Sequence, residues 1–382
     1  MAGERRMRRQ NHEFDQETEK VASSVSLAVA GELLTDIRRM IEEVRSGVAK
    51  AVNAGLTMLY WRIGKRIGGE ILKGRRAAYG KQIVATLSRQ LIEEYGEGYA
   101  EKNLRRMIQF ANVFPDEAIV ATLLRQLSWS HFVILLPLKD PLQREFYAEM
   151  CRLENWDTRT LRKKIDSMLY ERTAISRRPS HVVQKELANL REGDHLSPDL
   201  VFRDPYVLDF LNLKDTWKED DLETAILREM ERFLLELGIG FTFLARQKRM
   251  VIDGEDFHLD LLFFHRKLRR LVAVELKLGR FKAAYKGQME LYLRWLEKHE
   301  TEPGEAPPLG IILCAEGNRE QIELLQLDAS GIHVAAYLTE LPPKEVLRKR
   351  LHRAIVQARA QLGQRGKIGL LPSRGKGETG GT

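Results

Sequence analysis

Residues 260–278 constrain the fold of this chain more than any other stretch, because they place charges inside two apolar strands. The segment DLLFFHRKLRRLVAVELKL has the pattern of two β-strands joined by a basic turn. Asp260, Glu275 and Lys277 lie within those strands, and buried charges are costly unless they are paired or bind a metal. The stretch is therefore either a sheet edge with salt bridges or a metal site.

The spacing of the two carboxylates favours the metal site. The midpoint of residues 260 and 275 falls between Lys267 and Leu268, so a hairpin that turns there sets Asp260 opposite Glu275. A loop longer than two residues can keep the same register. Opposed Cβ atoms on neighbouring strands are about 4.5 to 5.5 Å apart, and carboxylates at that distance repel unless a cation lies between them. Mg²⁺ suits such a pair, with waters and substrate phosphate as its other ligands, and Mn²⁺ is the alternative ion.

Lys277 completes the charged set on the second strand. Side chains alternate along a strand, so Lys277 and Glu275 share a face. The lysine is expected to hold or deprotonate an attacking water, or to stabilise the charge on phosphorus. The alternative interpretation is a Glu–Lys ladder on an exposed sheet face, which the triplet E-x-K alone would favour.

Five further residues extend the candidate site onto other predicted elements. Glu223 lies on the apolar stripe of the predicted helix before the strands. Gln288 and Tyr292 are four residues apart on the helix after them, so both can lean over one sheet edge. Gln247 and Arg249, in the first strand, are predicted to contact nucleic acid. The complete set favours a site that cleaves the phosphodiester bonds of nucleic acid.

The order of predicted elements indicates two domains. A disordered segment at 1–25 precedes a mostly helical N-terminal domain at 26–175, and a polar linker with prolines follows at 176–200. Residues 201–362 have the predicted order α-β-β-β-α-β-α-β-α, which indicates an α/β fold with a mixed sheet. Its antiparallel strands come first, and its parallel strands are reached by helical crossovers. A basic flexible tail at 363–382 ends the chain.

A basic helix in the N-terminal domain is the candidate for DNA contact. The segment EKNLRRMIQFANVF follows another helix after a short glycine-containing turn, and this arrangement resembles a helix-turn-helix. An ordinary amphipathic surface helix has the same pattern. The apolar face consists of Leu104, Met107, Ile108 and Ala111, and the basic face of Lys102, Arg105, Arg106 and Gln109.

Charge and cysteine content indicate the expected partners and compartment. The chain has a net charge of +8, and residues 340–382 hold ten Lys or Arg against three acids. This segment is either a solubilising tail or a phosphate-binding arm. Cys151 and Cys314 cannot build a disulfide framework, so a cytoplasmic location is expected. The sequence predicts neither a secretory signal nor a membrane partner.

Residues 219–340 resemble the PD-(D/E)XK nuclease fold, the restriction-endonuclease-like core. The segment FHLDLLFFHRKLRRLVAVELKLGRFKAAYKGQMELYL is similar to the bacterial YhcG-type nuclease family. The similarity continues in the N-terminal segments YGKQIVATLSRQL, EKNLRRMIQF, LSWSHFVILLPLKDPLQREFY and TLRKKIDSMLYERTAIS. It therefore spans nearly the whole chain.

The resemblance implies a role for each matching residue. Asp260 corresponds to the metal-binding aspartate of the fold, Glu275 to its acidic residue and Lys277 to its lysine. Glu223 matches the acid that many members carry on the first helix. Leu259 stands where proline precedes the aspartate in the motif, which is a departure that many members share.

The expected function is that of a Mg²⁺-dependent nuclease, with DNA preferred over RNA as the substrate. A homo-oligomer is compatible with the sequence. The first alternative is a non-catalytic nucleic-acid-binding or assembly subunit that keeps the nuclease-like fold. The second is a structural or regulatory protein whose helical half binds a protein partner.

Overall fold

The computed structural model describes residues 38–40, 42, 47–70, 77–211, 219–316, 319–325, 327–339 and 342–368. The chain divides into two compact units, an N-terminal unit of residues 1–133 and a C-terminal unit of residues 134–382. The predicted disordered segment at 1–25 lies outside the described residues, as does the predicted tail from residue 369 onward.

The N-terminal unit is helical, as predicted. Its helices are α1 (47–70), α2 (Ala77–Tyr95), α3 (Glu101–Val113), α4 (Glu117–Leu123) and the first part of α5 (Trp129–Leu135). Gly96 ends α2 with a φ of 86°, a left-handed conformation that glycine adopts without steric cost. The predicted apolar face of α3 is confirmed, since Leu104, Met107 and Ala111 are buried and Ile108 is half-buried.

Helices α1 and α3 come into close contact at a glycine. A Cβ atom added at Gly64 would overlap the backbone carbonyl of Met107. One turn earlier on α1, the buried Trp61 donates its indole N–H to the carbonyl oxygen of Phe114, at 2.7 Å. The close approach therefore depends on the absence of a side chain at Gly64.

Helices also open the C-terminal unit. They are α6 (Pro141–Glu154), α7 (Thr158–Asp166), α8 (Leu169–Arg172), α9 (Ser180–Gly193) and α10 (Pro198–Val201). Helix α9 occupies most of the predicted linker and buries Val183, Leu187 and Leu190. Glu149 of α6 accepts hydrogen bonds from Arg191 of α9 at 2.7 Å and from Arg152 at 2.9 Å. The segment at 176–200 is thus largely a packed helix, and the domain boundary there stays a prediction.

A six-stranded mixed sheet follows, with the strand order β1-β6-β5-β4-β3-β2. The strands are β1 (Tyr206–Val207), β2 (Phe241–Ile252), β3 (Glu255–His265), β4 (Arg270–Arg280), β5 (Leu309–Glu316) and β6 (Ile332–Leu338). Strands β2, β3 and β4 are antiparallel, whereas β4, β5, β6 and β1 pair in parallel. The crossover helices are α13 (Ala284–His299) and α14 (Arg319–Leu324). The predicted α/β fold is confirmed.

Two helices differ from their predicted extents. The segment predicted as one helix before the strands consists of α11 (Glu219–Arg228) and α12 (Met230–Leu237), separated at Glu229. The last helix, α15 (Lys344–Ile368), continues into the segment predicted as a flexible tail. Neither α15 nor any other described helix is both long and apolar enough to cross a membrane.

The two faces of the sheet bury separate cores. The first core joins α11 and α12 to one face through Leu222, Ile226, Phe233, Leu261, Phe263, Val272, Val274 and Leu276. The second joins α13 to the other face through Leu262, Ala273, Met289, Tyr292, Leu293, Leu296, Ile312 and Cys314. Residues two apart on a strand share a face, and Ala273 of β4 packs in the core with α13. The strand therefore directs Glu275 and Lys277 toward the face that α13 covers.

We expect Gly64→Ala to destabilise the N-terminal unit by about 1 to 3 kcal/mol, because the new methyl group must push α1 away from Met107. Gly55, also on α1, is the matched control, since a Cβ atom there has no neighbour within 4 Å. Gly55→Ala should stabilise the helix by about 0.5 to 1 kcal/mol. Urea denaturation followed by circular dichroism measures both variants. Equal effects of the two substitutions would contradict the close packing at Gly64.

Candidate active site

The β3–β4 hairpin aligns the two predicted carboxylates. Leu261 pairs with Val274 at the end of the ladder, and the turn occupies residues 266–269. Asp260 and Glu275 are the next residues along the two strands. The predicted register is therefore confirmed, with a four-residue loop in place of a two-residue turn.

Asp260 lies where the alternation of β3 shifts. Leu259 and Leu262 pack in the same core although they are three residues apart, so the strand changes face between them. The carboxylate of Asp260 takes over acceptor roles there. Its Oδ2 accepts the backbone N–H of Leu276 at 2.8 Å, and its Oδ1 accepts the side-chain amide of Gln247 at 3.1 Å. These bonds fix the Asp260 side chain against β4 and β2.

Gln247 links Asp260 to the carboxylate on α11. Its Nε2 also donates to Glu223 Oε2 at 2.7 Å. The φ of Gln247 is 45°, in the left-handed region that non-glycine residues rarely adopt. Sequence reasoning missed Arg246, whose Nε lies 3.2 Å from Glu223 Oε1. Strand alternation places residues 246 and 247 on opposite faces, so no sequence pattern predicts that both reach Glu223.

Glu275 is the most enclosed acid of the site, with only 4% of its surface exposed. Its Oε1 accepts hydrogen bonds from Lys277 Nζ at 3.0 Å and from Gln288 Nε2 at 3.3 Å. Its Oε2 is buried and accepts no hydrogen bond from any described residue. The Lys277 ammonium also lies 5.3 Å from the ring centroid of Tyr285, a contact for which the sequence gives no signal.

Gln288 and Tyr292 lie beside Glu275, as their spacing on the helix predicts. Gln288 Nε2 donates to the Tyr292 hydroxyl at 2.7 Å as well as to Glu275. The Tyr292 hydroxyl in turn donates to the backbone carbonyl of His258 at 3.3 Å. This chain of bonds fixes the Gln288 amide against the carboxylate.

Burial disfavours the charged forms of both central acids. It raises the pKa of Glu275 to about 7, and the negative charge of Asp260 acts in the same direction. It also raises the pKa of Asp260, whose hydrogen bond from Leu276 and whose neighbour Lys277 act in the opposite direction. One positive side chain therefore does not compensate two enclosed carboxylates.

These residues fit a divalent cation of the Mg²⁺ type. Within the described ranges, no group of three or more His, Cys, Asp or Glu side chains could hold a metal ion, so the carboxylate pair is the relevant donor set. Mg²⁺ is commonly bound by one or two carboxylates, with water and substrate oxygens as its remaining ligands. The buried Oε2 of Glu275 accepts no hydrogen bond, which is the state of a carboxylate oxygen available to a cation.

Arg249 does not join this cluster. Although it is two residues from Gln247, it forms an exposed ion pair with Asp256 across the β2–β3 hairpin, with Nε and Oδ1 2.9 Å apart. Its predicted contact with nucleic acid stays a prediction. Gln247, predicted for the same role, is bonded to the two acids described above, and its contact with nucleic acid likewise stays a prediction.

The predicted DNA-contact residues on α3 belong to the N-terminal unit. Lys102, Arg105 and Gln109 are exposed on that helix, and Arg106 is half-buried. Arg105 forms an ion pair with Glu101, and Arg106 donates to Asn103 Oδ1 at 3.3 Å. Two of the three cations thus have partners on their own helix, and their contact with DNA stays a prediction.

Comparisons with known proteins cover most of the chain. Residues 36–172 match the family model described as DUF1016 N-terminal domain, and residues 199–352 match that described as YhcG PDDEXK nuclease domain. Over 361 residues the chain is 35% identical to an Escherichia coli (strain K12) protein named "Putative nuclease YhcG". That alignment spans 85% of this chain and 93% of the relative.

Solved structures show more distant likeness. A repair endonuclease from Pyrococcus abyssi is 19% identical, with a TM-score of 0.23 over 34% of this chain and 50% of that chain. The structure of an EndoMS–dsDNA complex is 18% identical, with a TM-score of 0.25 over 34% of this chain and 49% of that chain. This chain thus spans about half the length of each.

The raised pKa of Glu275 predicts a pH-dependent stability. A carboxyl whose pKa is raised from 4.5 to about 7 by folding stabilises the folded state below 4.5 and loses that contribution as pH rises to about 7. We expect the unfolding free energy in EDTA to fall over that range relative to Glu275→Gln, by on the order of 3 kcal/mol at most. Urea denaturation at a series of pH values measures this difference. Parallel stability curves for the two proteins would contradict it.

Proposed function

We propose, from the premise that this chain belongs to the YhcG family of proteins with a PDDEXK nuclease domain, that it is a metal-dependent nuclease acting on DNA. One observation carries the proposal. Asp260 and Glu275 lie next to each other on adjacent antiparallel strands, with Lys277 bonded to Glu275 and a buried glutamate oxygen without a hydrogen bond.

Asp260 and Glu275 are the residues that would hold Mg²⁺ or Mn²⁺. Such an ion would offset the charge of the carboxylates and of the phosphate oxygens, and would lower the pKa of water. Burial raises the pKa of both acids, and that of Glu275 to about 7, so near neutral pH the ion would compete with a proton on Glu275.

Lys277 is proposed to act directly on the reacting groups. Its ammonium is held between the Glu275 carboxylate and the Tyr285 ring, which limits it to a small region beside the carboxylates. From there it can orient the attacking water by hydrogen bonding, or stabilise the negative charge that builds on the phosphate.

The remaining residues are proposed to position this pair. Gln288, itself held by Tyr292, fixes the Glu275 carboxylate. Glu223 acts through Gln247, whose amide is shared between Glu223 and Asp260. Because these partners are themselves hydrogen-bonded, the carboxylates keep their geometry before substrate binds.

DNA is proposed over RNA as the substrate. The support is the family of the nuclease domain together with the α2–turn–α3 arrangement, in which α3 carries exposed basic residues after a glycine turn. Basic side chains bind the phosphate backbone without reading sequence, so this support concerns the polymer and not a sequence preference.

The test is incubation of the purified protein with Mg²⁺ or Mn²⁺ and with supercoiled, linear, single-stranded and branched DNA, and with RNA. We expect at least one form of DNA to be cleaved, and we expect this cleavage to stop when EDTA is added. Binding of DNA without cleavage under every condition would support the non-catalytic subunit instead. Cleavage of RNA alone would contradict DNA as the substrate.

Asp260 and Lys277 should give different phenotypes when they are changed. Asp260→Asn keeps the shape of the side chain but removes a charged ligand, so metal binding and cleavage should be lost together. Lys277→Ala removes a positive charge beside the carboxylates, so metal binding should persist or tighten while cleavage falls by about 10² or more. Isothermal titration with Mn²⁺ and a cleavage assay measure both effects. Cleavage by Lys277→Ala at the parent rate, still inhibited by EDTA, would make Lys277 a structural residue.

Gln247→Ala should weaken Mn²⁺ binding by about 10-fold. The substitution removes the side-chain amide that donates to Asp260 and leaves only the backbone N–H of Leu276 to orient that carboxylate. Arg249→Ala is the control in the same strand, since Arg249 contacts Asp256 at the far side of the hairpin. Its Mn²⁺ affinity should equal that of the parent. A Gln247→Ala protein that binds Mn²⁺ normally but binds DNA less tightly would contradict the positioning role and support the predicted contact of Gln247 with nucleic acid.

A further inference from the structure

Helix α15 is anchored to the C-terminal unit by one face. Leu347 and Leu351 pack with Met168 in a small core. Lys344 Nζ lies 2.7 Å from Asp166 Oδ1, and Arg359 Nε donates to the backbone carbonyl of Ser176 at 3.0 Å. These contacts hold the helix between residues 344 and 359, so its other face is fixed in space.

Three cations on α15 have no partner within the described part of the chain. Lys349, Arg350 and Arg353 are exposed and make no ion pair or hydrogen bond with a described residue. Glu345 lies four residues before Lys349, at the spacing of a helical ion pair, but it is bonded to Arg348 at 2.8 Å. No other acidic residue follows on the helix up to residue 368.

These cations do not stabilise the helix that carries them. Lys349 and Arg353 are four residues apart, and like charges at that spacing disfavour a helix. Arg350, three residues after the buried Leu347, adds a third exposed charge at the edge of this side. Their arrangement therefore suits an external anion better than it suits folding.

We infer that the face formed by Lys349, Arg350 and Arg353 binds the phosphate backbone of nucleic acid, an inference that rests on the proposed function. The three residues extend over about 6 Å of helix axis. A DNA strand advances about 3.4 Å per phosphate along its axis, so about two phosphates of one strand fall within that length. Lysine and arginine side chains bind such phosphates without reading the bases.

The predicted DNA-contact helix α3 provides a comparison within the chain. Two of its cations, Arg105 and Arg106, already bond Glu101 and Asn103. A phosphate would have to compete with those partners, whereas Lys349, Arg350 and Arg353 of α15 have no such partner within the described part of the chain. The α15 face is therefore expected to contribute more to nucleic-acid affinity than α3.

The test compares two triple variants of the full-length protein that remove equal charge, K349A/R350A/R353A on α15 and K102A/R105A/R106A on α3. Affinity for a duplex is measured in EDTA at several salt concentrations, so that cleavage does not interfere. The slope of log K against log salt should fall by about 0.9 for each phosphate that the protein no longer neutralises, and therefore by about 1.8 for the α15 variant, whose face spans about two phosphates. The α3 variant should change it less. The single variant R350A, which changes only one residue of the helix, should lower the slope by about 0.9.

An unchanged slope for the α15 variant, or a larger change for the α3 variant, would overturn the inference. Equal melting temperatures of parent and variants establish that the fold is retained. If the α15 triple variant melts at a lower temperature than the parent, the salt dependence of the single variant R350A decides instead. Absence of any duplex or single-strand binding by the parent would overturn the proposed nuclease function as well. Binding by the parent with an unchanged slope overturns only the role of α15.

Discussion

The burial of two carboxylates beside one lysine is the constraint on which the site depends. Desolvation raises the pKa of Glu275 to about 7 because its neighbours supply too little positive charge. An apolar pair of residues would suit the interior of this sheet better. The surrounding chain instead supplies donors to Asp260 and to one oxygen of Glu275, and leaves the other oxygen without one. This local imbalance is what a cation would correct.

The mixed sheet makes that arrangement geometrically accessible. The antiparallel ladder of β3 and β4 ends at Leu261 and Val274. Beyond that point the backbone N–H of Leu276 on β4 donates to the Asp260 side chain and not to the backbone of β3. On its other edge β4 pairs in parallel with β5, which fixes the strand that carries both Glu275 and Lys277. The parallel core thus holds one half of the site rigid, while the hairpin brings the other half to it.

The sequence predicts those parts of the fold and site that follow from local periodicity. Alternation along β4 and the hairpin midpoint predict the alignment of Asp260 with Glu275, and helical spacing predicts the pairing of Gln288 with Tyr292. The break of the helix at Glu229 and the helix within the predicted linker depend on tertiary packing, which overrides composition. The contact of Arg246 with Glu223 escapes prediction because the next residue, Gln247, has a left-handed conformation inside the strand.

The left-handed conformation of Gln247 lowers local stability, and it occurs within the candidate site. A non-glycine residue in that conformation costs roughly 1 kcal/mol or more and persists only where surrounding contacts determine it. At Gln247 the determining contacts are the two carboxylates that share its amide. Those carboxylates are themselves unfavourable in the interior, so neither the strain nor the charges are explained by folding alone. Both agree with the proposed function, in which this preformed arrangement would bind a cation and a phosphate.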